Sequence, residues 1–183
     1  MRIIAGEFRG RKILPPAGDT TRPITDRVKQ SLFDILTPYL PGAVVYDCFA
    51  GTGSLGLESL SRGAESAVFF EQDRSAGSML RKNIAALGVG GKSKVIAGDL
   101  FQFFLGNTEL PKTSLVFLDP PYRMLKEQSA DLRKLAQSLA AEFMQQDALL
   151  IFRHRTDDEL ELPPLVRFDL RDYGSMVIEI LKS

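Results

Sequence analysis

The chain has 183 residues, 44% of them hydrophobic and 25% charged, and its 23 Lys and Arg balance its 23 Asp and Glu. That is enough chain for one domain with a full core, and the composition excludes a disordered or fibrous protein. No apolar run reaches the ~20 residues of a membrane span, the start at Met1–Gly6 lacks an apolar signal core, and the single Cys48 excludes an internal disulfide, so a cytoplasmic protein without membrane contact is expected.

In chain order, Arg2–Ile4 and Arg11–Leu14 read as the two arms of a small hairpin around Gly6 and Gly10, stopped by Pro15-Pro16. Charge concentrates here. Residues 1–30 hold seven Lys and Arg against three acids, a net +4, which leaves −4 on the remaining 153 residues. Such a basic arm (Arg2, Arg9, Arg11, Lys12, Arg22) suits contact with nucleic-acid phosphates, although an ordinary solvated segment has the same composition. A loop over 17–25 follows, and Asp26 is placed to cap a helix running to about Tyr39, with Val28, Leu32, Ile35 and Leu36 at helical spacing.

Strand and helix then alternate. Strands are expected at Val44–Tyr46, Ala67–Phe70, Lys94–Ala97, Leu115–Leu118 and Leu149–Phe152. Helices are expected at Ser54–Arg62, Ser75–Leu87, Leu100–Leu105 and Ser129–Met144. Val166–Leu170 and Met176–Leu181 form a closing antiparallel pair around Tyr173-Gly174. This is the pattern of an α/β, three-layer Rossmann-like fold: a mostly parallel sheet made mixed by a C-terminal antiparallel hairpin, with the small N-terminal hairpin appended. Residues 1–25 are expected as that extension and 26–183 as the main domain.

In such sheets ligands bind beyond the carboxyl ends of the strands. There the turn after the first strand reads Asp47-Cys48-Phe49-Ala50-Gly51-Thr52-Gly53-Ser54-Leu55-Gly56, a G-x-G-x-x-G between strand and helix. The spacing serves dinucleotides as well as S-adenosylmethionine. Asp47, just ahead of the glycines, is suited to a cationic amine and unhelpful beside a pyrophosphate. Glu71, ending the second strand, can accept from ribose hydroxyls of either ligand. Asp99 after the third strand can accept from an adenine amine, with Leu100 and Phe101 beside the ring, and can also cap the next helix.

The fourth strand runs into Asp119-Pro120-Pro121-Tyr122. Two prolines end the strand, remove two backbone donors and leave stiff carbonyl acceptors between a carboxylate and an aromatic face. An exocyclic base amine needs that set. Its lone pair is delocalised into the ring, and two acceptors, the Asp119 carboxylate and the Pro120 carbonyl, can bind its two protons and aim the lone pair at a methyl donor. Tyr122 stacks on a base that has left its helix. No metal and no covalent enzyme intermediate are expected. His154, the only histidine, stands between Arg153 and Arg155, which should disfavour its protonation, and belongs to an RNA-facing basic cluster on this reading. Cys48 reads as a small buried residue.

Together these residues resemble the RsmD-type family of bacterial 16S ribosomal RNA guanine-N2 methyltransferases, over essentially the whole chain. The resemblance is carried by Arg2–Gly6 with Arg9-Gly10-Arg11, by Arg22–Lys29 with Ser31-Leu32-Phe33, by Asp47–Glu58 with Ser61–Ala64, and by Arg171-Asp172-Tyr173-Gly174. It implies a class I methyltransferase sheet with the last strand inserted antiparallel. It also implies cofactor contacts at Thr25, Asp47, Phe49, Ala50, Gly51, Thr52, Gly53, Glu71, Gln72, Asp99, Leu100 and Asp119, and a guanine of 16S rRNA, in the small ribosomal subunit or its assembly intermediate, as substrate of a monomer. Two features depart from the family pattern: Phe152-Arg153-His154-Arg155 stands where an acid is expected in many relatives, and Tyr122 where Phe is common. The chemistry alone leaves adenine-N6 methylation of DNA or RNA open. A dinucleotide-dependent oxidoreductase and a non-catalytic RNA-binding assembly factor fit less well, the first leaving the proline element unexplained and the second the cofactor turn.

Overall fold

A computed structural model describes residues 1–15, 24–106 and 109–183; Arg22, expected in the basic arm, lies outside them. The chain forms a seven-stranded sheet in the order β3-β2-β1-β4-β5-β7-β6, with β1 Val44–Cys48, β2 Ser66–Glu71, β3 Ser93–Ala97, β4 Thr113–Leu118, β5 Met144–Arg155, β6 Val166–Asp172 and β7 Met176–Lys182. The strands β1 to β5 pair in parallel, and β7 enters antiparallel between β5 and β6. The expected strands are all present, most of them a residue or two longer.

The helices are α1 Asp26–Leu36, α2 Ser54–Ser61, α3 Arg74–Leu87, α4 Leu100–Leu105, α5 Met124–Glu127 and α6 Ser129–Ser138. They divide between the two faces of the sheet. One core joins α1, α2 and α3 to Val45, Phe69, Phe117, Ile151 and Ile178; the other joins α4, α5 and α6 to Tyr46, Phe70, Leu118, Phe152 and Leu181. Alternate residues of each strand serve opposite cores, which is why the central strands read as unbroken apolar runs. No helix among the described residues is long and apolar enough to cross a membrane.

Three boundaries differ from expectation. Thr25, not Asp26, caps α1: its hydroxyl accepts from the Val28 amide at 3.3 Å, and Asp26 occupies the first turn, where a negative charge faces the helix's positive end. The expected helix to Met144 is regular only to Ser138; a wider π turn over Leu139–Phe143 follows, with both its end residues buried, and β5 begins at once. The N-terminal hairpin is held by a single bridge between Arg2 and Lys12 rather than by two full strands. Other amides of the arm bond outward: those of Ile4 and Ala5 donate to Glu58 and that of Glu7 to the Ser61 carbonyl.

Those bonds converge on one carboxylate. Glu58 on α2 is fully buried and accepts from the amides of Ile4 at 2.8 Å and Ala5 at 3.0 Å and from Arg62 Nε at 2.8 Å, with Lys29 Nζ of α1 at 3.2 Å. Lys29, itself buried, also donates to the Arg2 carbonyl at 2.7 Å. Burial pulls the Lys29 amine below its ordinary range while Glu58 pulls it back up. Glu58→Gln leaves Lys29 buried without its counter-charge, so a loss of about 3–5 kcal/mol of folding stability is expected, measured by chemical denaturation.

Candidate active site

The strand order places the site. Because β1 lies between β2 and β4, the chain moves one way from β1 to β3 and the other way from β4 onward, and a crevice opens at the carboxyl ends of β1 and β4. The register pairs Cys48 with Leu118, so the glycine turn and Asp119 leave the sheet side by side.

The turn is built on two acids, Asp47 buried and Glu71 half-buried. Asp47, 2% exposed, accepts from the Gly56 amide at 2.8 Å, tying the first turn of α2 back to β1. A Cβ on Gly56 would stand 2.3 Å from the Phe69 ring and 3.0 Å from the Asp47 carboxylate, so only glycine allows α2 this close to the sheet. Glu71 accepts from the Gly51 amide with one oxygen and from the Asp73 amide with the other, both at 2.7 Å. Burial pushes the Asp47 carboxyl well up, against the pull of the Gly56 amide, and the nearby charges of Asp119 and Glu71 push it further; burial likewise raises Glu71.

The other expected contacts surround this frame. Ala50 and Thr52 are buried within the turn, and Gln72 is exposed beside Glu71. Thr25 is exposed, its hydroxyl engaged as the α1 cap. Phe49, at φ 63°, presents its ring to Phe101 edge-on at 6.1 Å, above the buried Leu100. Asp99 caps α4, accepting from the Phe101 amide at 2.8 Å, so the capping role is realised and lone pairs remain for a ligand. A Cβ on Gly51, at φ 56°, or on Gly98 would meet nothing within 4 Å. The turn is therefore open in front of Gly51, whose amide is held by Glu71, and in front of Gly98, which precedes Asp99.

At the end of β4 Pro120 is buried, and Asp119, Pro121 and Tyr122 are half-buried. The Pro121 carbonyl accepts from the Met124 amide at 2.8 Å and the Tyr122 carbonyl from that of Leu125 at 3.2 Å, starting α5. No donor among the described residues reaches the Pro120 carbonyl. It stands next to the Asp119 carboxylate, whose Oδ2 has no donor among the described residues.

The end of β5 contributes what motif spacing did not reveal. Arg153 Nε donates to Asp119 Oδ1 at 2.6 Å, and the Arg155 guanidinium lies 5.6 Å from the centre of the Tyr122 ring. The only sequence signal was the basic run where an acid was expected. Among the basic arm residues, Arg2 pairs with Asp26 and Arg11 donates to the Ala86 carbonyl near the end of α3. Arg9 sits in the arm's turn, which bonds to Ser61 at the far end of α2 from the glycine turn. Cys48 is buried and free, its thiol pushed up by burial.

The fold is that of a class I methyltransferase. A family model described as Conserved hypothetical protein 95 matches residues 1–182. The chain belongs to that family, which bears out the RsmD-type resemblance of its motifs. It is 44% identical over 123 residues to Ribosomal RNA small subunit methyltransferase D of Escherichia coli K12, a match spanning 67% of this chain and 61% of the relative, so the chain covers less than two thirds of that protein's length. It is 36% identical over 191 residues to YlbH of Bacillus subtilis, named as a candidate rRNA methyltransferase, covering 100% of this chain and 99% of the relative. The solved structure of yhhF from Escherichia coli, described as a candidate methyltransferase, superposes with a TM-score of 0.85 at 30% identity, covering 100% of this chain and 97% of that one.

His154 departs from its expected place. Its side chain lies on the opposite face of β5 from Arg153 and is 2% exposed, so it faces no RNA. Nε2 meets Glu179 Oε1 at 3.0 Å and Nδ1 meets the Arg155 carbonyl at 2.7 Å; Arg167 Nε donates to the other Glu179 oxygen at 2.7 Å. Burial opposes the imidazolium, but Glu179 and the carbonyl outweigh it and raise the pKa, contrary to the expectation from its arginine neighbours, whose charges point elsewhere. Glu179 is lowered, burial being outweighed by His154 and Arg167. The histidine's contribution is full below its unfolded value of about 6.5 and fades as pH rises through the higher folded value; that of Glu179 is present above about 4.3 and fades as pH falls through its lowered value. His154→Gln should therefore flatten the decline in stability between roughly pH 6 and pH 8, read from denaturation midpoints across that range.

Proposed function

We propose that this chain transfers a methyl group from S-adenosylmethionine to the N2 amine of a guanine in 16S rRNA, within the small ribosomal subunit or an assembly intermediate in the cytoplasm. The observation that carries this reading is the Asp119 carboxylate beside an unbonded Pro120 carbonyl at the mouth of the glycine turn. The family's named relatives, which include small-subunit rRNA methyltransferases, support the choice of substrate.

When bound, the cofactor supplies a methyl group already activated on a sulfonium. The chain's residues do the rest by placement. Glu71 and Asp99 are positioned to accept from the ribose and the adenine amine, and Leu100, Phe49 and Phe101 offer apolar contact to the ring. Asp47, raised chiefly by burial and then by the charges of Asp119 and Glu71, stands with Glu71 at the turn, a pair of acids that suits a sulfonium and its amine better than a pyrophosphate. Tyr122 supports the face of the extruded base. Asp119 and the Pro120 carbonyl take the two amine protons as hydrogen-bond acceptors, fix the nitrogen's orientation and exclude water from it.

Asp119→Ala is expected to lower methyl transfer to unmodified small subunits by about 10³-fold, with cofactor affinity by calorimetry retained; near-normal turnover would contradict the amine-positioning role. Nucleoside mass spectrometry of the product separates N2-methylguanine from N6-methyladenine. For the arm, charge reversal at Arg9 and Lys12 should weaken substrate binding and reduce the slope of log affinity against log salt by about one per lost phosphate contact. An unchanged slope places RNA contact elsewhere.

A further inference from the structure

We infer that Arg153 is a positioning residue for the methyl transfer, acting through Asp119; this rests on the function proposed above. The two side chains belong to adjacent parallel strands. Phe152 pairs with Leu118, so Arg153 and Asp119 stand one step further along, where β4 ends and β5 continues beside β7. Their side chains are 13% and 17% exposed, and Nε meets Oδ1 at 2.6 Å. On its other side the guanidinium Nη1 lies 3.6 Å from Met176 Sδ of β7. Arg153 is therefore contacted from both sides, by Asp119 beyond the end of β4 and by Met176 of β7.

This geometry constrains the carboxylate. An Asp side chain at the end of a strand is free to rotate about two bonds, and either oxygen can face the crevice. With Oδ1 held by Arg153, Oδ2 is the carboxylate oxygen with no donor among the described residues, and the carboxylate plane is set before substrate arrives. Burial alone would disfavour the guanidinium; the Asp119 charge more than compensates, so the pair stays intact. Preorganised acceptors give up no free energy to reorientation when the base docks. The amine then meets two fixed acceptors, Oδ2 and the Pro120 carbonyl, whose relative placement decides whether the lone pair points along the line of transfer. Arg153 touches neither base nor cofactor in this scheme; it determines which oxygen does.

The test is a double-mutant cycle in the full chain, with unmodified small subunits as substrate. Arg153→Met keeps the apolar stem and removes the charge and the donor, Arg153→Lys keeps the charge, and Asp119→Asn removes the ion-pair acceptor. Arg153→Met should lower kcat by about 10²-fold, with KM and the calorimetric cofactor Kd changed by less than about threefold. Arg153→Lys should recover part of that loss. In the Asp119→Asn background, Arg153→Met should have no further effect on kcat. The inference is overturned if Arg153→Met leaves kcat intact, if its loss appears in KM or the melting temperature instead, or if the two substitutions multiply. If Asp119→Asn itself retains turnover, the amine-positioning role of Asp119 fails and this role fails with it; if the unmodified chain transfers no methyl group to any subunit, the function proposed above fails.

Discussion

A single carboxylate with no access to water, that of Glu58, ties together the three segments on which the site is mounted. Two backbone amides of the arm, Arg62 on its own helix and Lys29 of α1 all converge on it. A buried acid is costly unless every lone pair is used, and here the partners are spread over residues 4 to 62 of the chain. Its helix, α2, begins at the glycine turn, so its tilt decides where Gly51 and Asp47 stand. Lys29 Nζ also reaches Ser54 Oγ, the first residue of α2, at 3.3 Å. The arm is thus part of the scaffold of the cofactor crevice, with Ile3 and Ile13 sharing the core of α1 and α2.

A second set of charges works at the surface of the crevice, with opposite logic. Asp47, Glu71 and Asp119 lie close enough for the last two to raise the first. Three carboxylates gathered at one strand edge repel one another, and such an arrangement persists where backbone amides and a cation offset the repulsion. The amides of Gly51, Gly56 and Asp73 do so for Glu71 and Asp47, and Arg153 does so for Asp119. Of the three, Asp119 is the carboxylate that carries a side-chain counter-ion, and on the function proposed above it is the one that would meet the acceptor base.

Much of this was legible in the sequence because it depends on local spacing. The alternation of apolar runs located every strand, and the glycine turn and the proline element fell at the ends of β1 and β4 because those motifs require a strand behind them. What spacing does not encode is which residues meet across the sheet. Glu58 and Lys29 look like ordinary helix-surface charges until the arm folds over them; the one hint was Lys29 beside Val28 on the apolar stripe of α1. His154 was misplaced for the same reason. Its chain neighbours point to the other face of β5, and the residue that sets its charge, Glu179, is 25 positions away on β7. The end of the long helix after Tyr122 was missed because apolar spacing continues through Leu139 and Phe143 while the backbone widens into a π turn.

The basic arm shows why counting charges overstates a surface. Of the cations expected to face RNA, Arg2 is paired with Asp26 and Arg11 satisfies a helix carbonyl, so each has a structural task that a phosphate would have to displace. Arg9 and Lys12 have no acidic partner among the described residues, and neither do Arg123 and Arg155, which flank Tyr122 at the catalytic edge. A chain of zero net charge can still bind a polyanion when its unpaired cations lie together and its acids are turned inward. That is the case around Tyr122: Asp119 beside it is neutralised by Arg153, and the exposed charge is that of Arg155 stacked on the ring. On the function proposed above, attraction for RNA would fall at Tyr122, and among the described residues of the arm Arg9 and Lys12 would be the cations free to add to it.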